Sequence, residues 1–370
     1  MRRRHSTTSG YRLTSNKPSI SLAAQHGKKR VHEFILLGIG LIIFLWLGAS
    51  IGASDINLML PLESIYLAIS GNAETNITQS IVVNIRLPRV AMALLVGAAL
   101  AVSGASLQGI CRNPLADPGL LGISGGAAAG AVIMILFAKH IPFLSLLGPY
   151  AVSIAAFAGA AIATFSVYNL AQVNGEIQIP TLLLAGVAIN ALAGAFISGL
   201  SFIADDQALR LITFWMMGSL ASATWTAVTI SAPILAITIF AIYRKRHALN
   251  LILLGEANAR FSGIDVYKVK NQLLWLNALA VGIAVAFSGI IGFVGLVVPH
   301  ILRMSSDTNY RYLIINSALL GAVLLTLADL CSRMLITPAE LPIGILTSLI
   351  GAPFFVGLLI QQKKRRDFNL

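Results

Sequence analysis

Apolar runs of about 20 residues, parted by short polar or charged stretches, recur along this chain. Ten candidate spans follow from them: about 34–52, 88–108, 119–138, 146–170, 181–203, 225–243, 272–290, 294–304, 309–332 and 342–361. Twenty residues of α-helix reach about 30 Å, the thickness of a bilayer's hydrocarbon core. The pattern therefore predicts an all-α polytopic membrane protein with ten transmembrane helices. The eighth run is too short to cross as a full helix. Gly289, Gly292, Gly295 and Pro299 interrupt it, and such breaks persist in a membrane only where protein or a water-filled cavity covers the freed backbone groups.

The runs also repeat. Val96-Gly97-Ala98-Ala99-Leu100-Ala101-Val102-Ser103-Gly104 aligns with Val281-Gly282-Ile283-Ala284-Val285-Ala286-Phe287-Ser288-Gly289, six identities in nine at an offset of 185 residues, and the same offset carries Pro114 onto Pro299. The copies fall in spans two and seven, an odd number apart. Spans 2–5 and 7–10 then form an inverted internal repeat, the plan of transport proteins with a pathway between their halves.

Composition agrees with the span count: 57% of residues are hydrophobic and 11% charged. The net charge of +12 is concentrated at the ends. Residues 1–32 hold eight Lys or Arg and no acid, and Lys363 to Asp367 add three net charges, so only about one remains elsewhere. That is too little to track phosphates, and no nucleic-acid partner is expected. Basic flanks of this kind mark the cytoplasmic side, which places both termini inside. The organisation read from this is a basic, disordered tail at 1–32, a ten-span domain at 33–362 and a basic tail at 363–370. A cleaved signal peptide is not expected, because the first apolar run is long enough to stay in the membrane and no small-residue cleavage site follows it. The loop 52–87, with Asp55, Glu63 and Glu74, falls outside. The loop 244–271 falls inside, with Arg244, Lys245, Arg246, Arg260, Lys268 and Lys270 against Glu256 and Asp265.

Several polar or small residues form sets. Gly122, Gly126 and Gly130 recur every four residues and allow close helix packing, within one subunit in preference to a dimer seam. Arg86 and Arg89 stand at the outer mouth of span two and Arg333 at the outer end of span nine. They either receive carboxylates from a docking protein or make local contacts, Asp329 with Arg333 being the i,i+4 pair. Leu249 to Phe261 in the inner loop has the pattern of short amphipathic helices, suited to the membrane surface or to a partner's groove. Cys111 and Cys331 lie near opposite membrane faces, too far apart for a disulfide.

No catalytic constellation appears. There is no Gly-x-x-x-x-Gly-Lys phosphate loop, so ATP hydrolysis belongs to another chain. His5, His26, His32, His140, His247 and His300 have no metal-ligand spacing, and neither metal nor cofactor is expected. His300 is read as a packing residue in preference to a haem ligand. Intramembrane acids are nearly absent, Asp329 excepted, which disfavours ion-coupled secondary transport; an integral membrane enzyme would need convergent acid, base or metal groups.

Arg86-Leu87-Pro88-Arg89, Gly104-Ala105-Ser106-Leu107-Gln108 with Arg112-Asn113-Pro114-Leu115-Ala116-Asp117-Pro118, Gly292-Phe293-Val294-Gly295-Leu296-Val297-Val298-Pro299-His300 and Glu340-Leu341-Pro342-Ile343-Gly344 resemble the FecCD-type permeases of ATP-binding-cassette importers. Those permeases take up iron-siderophore complexes, haem or vitamin B12. The resemblance runs in register from about residue 80 to 360. It implies a homodimer in the bacterial inner membrane, among lipid, with a pathway between the two copies, two cytoplasmic ATPase subunits beneath and a periplasmic substrate-binding protein above. By matching position, Arg86, Arg89 and Arg333 would receive the binding protein's acids. Leu254, Gly255, Glu256, Ala257, Ala259, Arg260 and Gly263 would form the coupling segment on the ATPases, and Gln178, Ile179, Pro180 and Thr181 the inner gate. Span five would line the pathway with span ten. Ser262 departs from the family, which usually has Leu there, and this weakens or shifts an apolar anchor. The stretch Phe214-Trp215-Met216-Met217-Gly218-Ser219-Leu220 with Trp225 resembles haem and siderophore permeases more than the vitamin B12 permease, so haem or a ferric chelate is the expected substrate.

Overall fold

The computed structural model describes residues 19–51, 77–138, 148–173, 176–305 and 308–367. Among these are thirteen helices and one two-strand hairpin. In chain order they are α1 (Ser19–Ser50), α2 (Ile77–Cys111), α3 (Ile123–Phe137), α4 (Ala151–Ala171), the hairpin β1 (Gln172–Val173) with β2 (Glu176–Ile177), α5 (Ile179–Phe202), α6 (Asp206–Met217), α7 (Trp225–Arg244), α8 (Arg246–Leu253), α9 (Glu256–Phe261), α10 (Val266–Ser288), α11 (Val294–Ser305), α12 (Tyr310–Met334) and α13 (Ile343–Asp367).

Each of the ten predicted runs carries one of these helices. Seven are long and apolar enough to cross a membrane, with windows of mean hydropathy from 1.4 to 2.1, and three apolar helices are shorter. The short ones are α3, α11 and the apolar part of α13, Ile343–Gly357. For α3 the cause is local: the run 119–138 opens with a 3-10 turn over Pro118–Leu121, and Gly122 takes φ +78, so the α-helix starts only at Ile123. Helix α1 begins at Ser19, ahead of the first apolar run, because the hydrogen-bond ladder of an established helix extends cheaply along residues that are neither Pro nor Gly-rich. Residues 1–18 and the outer-loop acids Asp55, Glu63 and Glu74 lie outside the described residues, as do His140 and residues 368–370.

Helix α2 is the axis of the bundle. Its apolar window is 78% buried, against 17% for α1, and it packs on α7, α10, α11 and α12. The Gly126 and Gly130 stripe serves contact within the chain. A methyl at Gly126 would overlap Ala163 and the Gly159 carbonyl, and one at Gly130 would overlap the Ala155 carbonyl, so α3 lies backbone to backbone against α4.

The repeated nine-residue motif meets two different fates. Its first copy lies in the middle of α2, whereas its second ends α10 at Ser288, with Gly289 at φ +67. A side chain at Gly289 would run into the Trp215 carbonyl, so only glycine fits there. The break is covered by protein: Ser219 N–H donates to Ser288 O at 2.8 Å, and Ile343 N–H donates to Gly218 O at 3.0 Å. Satisfying orphan carbonyls in this way is what permits a helix to stop inside an apolar bundle.

Candidate functional site

The predicted functional residues gather at two opposite ends of α2. Its regular part, Leu87–Cys111, has 25 residues, which puts about 37 Å between the ends.

At the first end stand Arg86, Arg89 and Arg333. Pro88 shapes this end. The segment Val82–Arg86 is one π turn, in which Leu87 N–H donates to Val82 O. The next acceptor in that register, Val83 O, would need an N–H from residue 88, which proline lacks. The Trp225 indole supplies the donor at 2.8 Å. Trp225, read from sequence as a hint of substrate, thus closes a gap in the backbone ladder.

Arg86, Arg89 and Arg333 come together at this end. Each is about 5% exposed and held inside the chain. Arg89 Nε donates to Asp329 Oδ1 at 2.7 Å, and Arg89 Nη1 donates to both oxygens of Glu340 at 3.0 and 2.9 Å. Arg333 Nη2 lies 3.2 Å from Asp329 Oδ2, the i,i+4 pair foreseen from spacing. It is an ion pair without hydrogen-bond alignment, since that oxygen accepts no hydrogen bond. Arg333 also donates to Gly48 O at 3.1 Å and Ile51 O at 3.2 Å, and Arg86 donates to Ser50 O. Two cations therefore cap the carbonyl end of α1, where orphan acceptors and the helix dipole favour positive charge. Asp329 is fully buried, whereas the Glu340 side chain is 42% exposed.

At the second end a cavity of about 500 Å³ is lined by Ile110, Cys111, Arg112, Ile177, Gln178, Ile179, Pro180, Glu256 and Lys270. The structure thus brings three residues of the expected gate beside a residue of the expected coupling segment. Thr181 follows, half-buried, outside the lining. Helix α5 starts here because Pro180, in its first turn, needs no N–H partner. The expected coupling residues, 254–263, form α9 and its flanks, with Gly255 at φ +117 between α8 and α9. Ala259 is fully buried and anchors α9, while Leu254, Ala257, Arg260 and Gly263 face outward. Leu254 is 69% and Phe261 is 90% exposed, so an exposed apolar side chain stands one residue before Ser262. Glu256 Oε1 accepts from Lys270 Nζ at 2.6 Å, and Glu176 Oε1 accepts from Arg260 Nη2 at 3.1 Å.

At the same end, the motif from Arg112 to Pro118 is a turn. Arg112 caps α2 at φ 50, Asn113 Oδ1 accepts from Leu115 N–H at 2.9 Å, and Asp117 Oδ1 accepts from Gly119 N–H at 2.7 Å. Burial pushes the Asp117 carboxyl above its ordinary value, against the opposing pull of the Gly119 N–H. His300 meets Phe354 edge to face at 6.2 Å. Among the described residues no group of three His, Cys, Asp or Glu could hold a metal ion, and Cys111 and Cys331 are free thiols. Sequence reading missed Glu176, the pairing of Lys270 with Glu256, the contact of Trp225 with Val83 O and the buried partnership of Glu340. Glu176 and Lys270 had one usable signal, as charges just before spans five and seven.

Comparison with known proteins gives this geometry its setting. The haemin transport system permease protein HmuU of Yersinia pestis is 42% identical over 339 residues, covering 91% of this chain and 99% of its own. The vitamin B12 import system permease protein BtuC of Vibrio vulnificus is 38% identical over 82% of this chain and 91% of its own. A solved metal-chelate type ABC transporter in an inward-facing conformation superposes with a TM-score of 0.76 at 30% identity, covering 88% of this chain and 98% of that one. The family model of the FecCD transport family matches residues 40–361. With most of its length covered by that model and by a relative 42% identical, the chain belongs to the FecCD transport family, as a membrane transport subunit and not an enzyme.

Proposed function

We propose that this protein is the permease of an ATP-driven importer that carries haem or a ferric chelate inward across the bacterial inner membrane by alternating access. The observation that carries the reading is the cavity of about 500 Å³ in which Gln178, Ile179 and Pro180 stand beside Glu256. A gate and a coupling segment sharing one wall allow motion of an ATPase to reach the pathway directly. In this reading both termini and α8–α9 are cytoplasmic, and ten segments, three of them short, form the inverted repeat. A second copy completes the pathway along α5 and α13. Two ATPase subunits receive Leu254 and Phe261 as apolar knobs. A binding protein docks on the end framed by Arg86, Arg89 and Arg333, with Glu340 as the accessible member of that frame. Likeness to a haemin permease supports haem over vitamin B12, since its 42% identity runs over 91% of this chain and a cobalamin permease of Halobacterium salinarum reaches the same identity over 78%.

The test is reconstitution in proteoliposomes with the partner ATPase and binding protein, supplied with labelled haem, a ferric siderophore or cobalamin. ATP-dependent uptake of haem or the ferric chelate is expected. Uptake that persists without the ATPase and stops when a proton gradient is dissipated overturns the reading. Uptake of cobalamin alone reassigns the substrate.

A further inference from the structure

Helix α9 has only six residues, yet its two charged side chains reach in different directions. Glu256 accepts from Lys270 on α10, and Arg260 donates to Glu176 on β2. Glu176 lies two residues before Gln178, and Ile177 between them is a buried residue of the cavity wall. The coupling helix is thus tied on one side to the first turns of α10 and on the other to the strand that runs into the gate.

The two ties differ in kind. The Lys270 side chain is 7% exposed and Glu256 is 36% exposed, so the ammonium is largely desolvated and depends on its one carboxylate. Arg260 and Glu176 are 55% and 61% exposed, and a pair so open to water holds weakly and re-forms readily. We propose that Lys270 and Glu176 are positioning residues for transport: the Lys270–Glu256 pair is the pivot on which α9 turns, and the Arg260–Glu176 pair is the arm that draws the gate strand with it. This rests on the coupling and gate assignments made above.

The proposal requires that transport efficiency depend on the signs of these four charges, so that exchanging both members of a pair restores what reversing one removes. The experiment uses the complete complex, with ATPase and binding protein, in proteoliposomes, and reads ATP hydrolysed per substrate molecule moved. Glu256→Lys, Lys270→Glu, Arg260→Glu and Glu176→Arg are each expected to raise that ratio roughly fivefold or more, the lower end of ordinary coupling between sites. The exchanges Glu256→Lys with Lys270→Glu and Glu176→Arg with Arg260→Glu are expected to bring it back to within about twofold of the unaltered complex. Single reversals that leave the ratio unchanged, or exchanges no better than singles, overturn the proposal. If the Lys270 variants fail to assemble, the exposed pair still decides the matter, because substitution at such sites seldom disturbs folding. The unaltered complex separates the two levels: should it move no substrate with ATP, the transport reading itself falls.

Discussion

Asp329→Asn is the substitution whose cost the structure sets most narrowly. The carboxylate is fully buried, lies 2.7 Å from Arg89 Nε and 3.2 Å from Arg333 Nη2, and is the shared counter-ion of both guanidiniums. Removing one partner of a buried ion pair costs about 3–5 kcal/mol, because the remaining charge stays desolvated. Two features reduce the figure: an asparagine oxygen still accepts from Arg89, and Arg89 keeps Glu340. A loss of about 3 kcal/mol results, roughly a hundredfold in the unfolding equilibrium. Reversible unfolding of the purified protein in detergent measures it. Glu340→Gln serves as the control, since that side chain is 42% exposed, and it is expected to cost about 1 kcal/mol or less. Raised salt should leave the Asp329→Asn deficit unchanged while reducing whatever Glu340 contributes. An Asp329→Asn variant within about 1 kcal/mol of the unaltered protein, or one no costlier than Glu340→Gln, would refute a desolvated network. The same reasoning governs tests of docking: reversing Arg86, Arg89 and Arg333 to Glu would place three carboxylates in this buried site, and loss of binding-protein stimulation would then report collapse. Glu340→Lys probes docking from the accessible side.

Phe261→Ala should weaken recovery of the ATPase with the permease far more than Ala257→Ser on the same short helix, since burying an exposed phenyl ring stabilises an interface by about 1.5–3 kcal/mol; quantitative co-purification checks this. Trp225→Phe leaves Val83 O without its donor and should destabilise the protein by about 1 kcal/mol in the same unfolding assay, with Trp225→Phe near neutral if that carbonyl finds another partner. At Asp117 the sign follows from the raised carboxyl pKa: the folded protein holds the proton more tightly than the unfolded chain does. The stability this lends is complete below the ordinary aspartate range of about 4 and is lost as pH rises through the raised value. Asp117→Asn, which retains an acceptor for Gly119 N–H, should abolish that slope, whereas Asp117→Ala should also lose the turn, at about 1 kcal/mol.

Helix positions were legible because apolar length is a direct consequence of bilayer thickness: Trp225–Arg244 lies within a residue of its predicted run, and Ile179–Phe202 within about two. What the pattern could not show was where backbone chemistry overrides hydropathy. The run beginning near 119 reads as one span, yet Gly122 at φ +78 divides it. Helix α6 was not foreseen, although Asp205 caps it by accepting from Ala208 N–H at 2.7 Å, because twelve amphipathic residues between spans resemble an ordinary loop in composition. At the site, residue identity was legible and environment was not. The arginines were found, but a charge near the end of an apolar run suggests exposure, and their acceptors at Gly48, Ser50 and Ile51 are backbone atoms that no side-chain pattern reveals. Gate and coupling residues were placed by resemblance. That Gln178 and Glu256 share a wall is a tertiary fact, since 78 positions of chain part them.

The two ends of α2 are fastened by different physics, and the difference bears on how the molecule moves. At the arginine end, desolvated charges join α2 to α12 and cap α1, so separating those helices means exposing uncompensated ions inside the bundle, a cost of several kcal/mol that no small displacement avoids. At the cavity end, α9 meets the gate strand through side chains more than half in water, where a pair can break and re-form at a cost near 1 kcal/mol. On the proposed function, work delivered by an ATPase at α9 is taken up by the compliant cavity end before it disturbs the stiff one. A transport cycle of that kind would open the proposed gate around Gln178 while α1, α2 and α12 turn as one body, held together at the arginine end. Spin labels across α2 and α12 near Arg89 should then keep a constant separation through the ATP cycle, while labels at Arg112 and Gln178, which both line the cavity, change theirs; movement at the Arg89 pair equal to that at the cavity would contradict this division of stiffness.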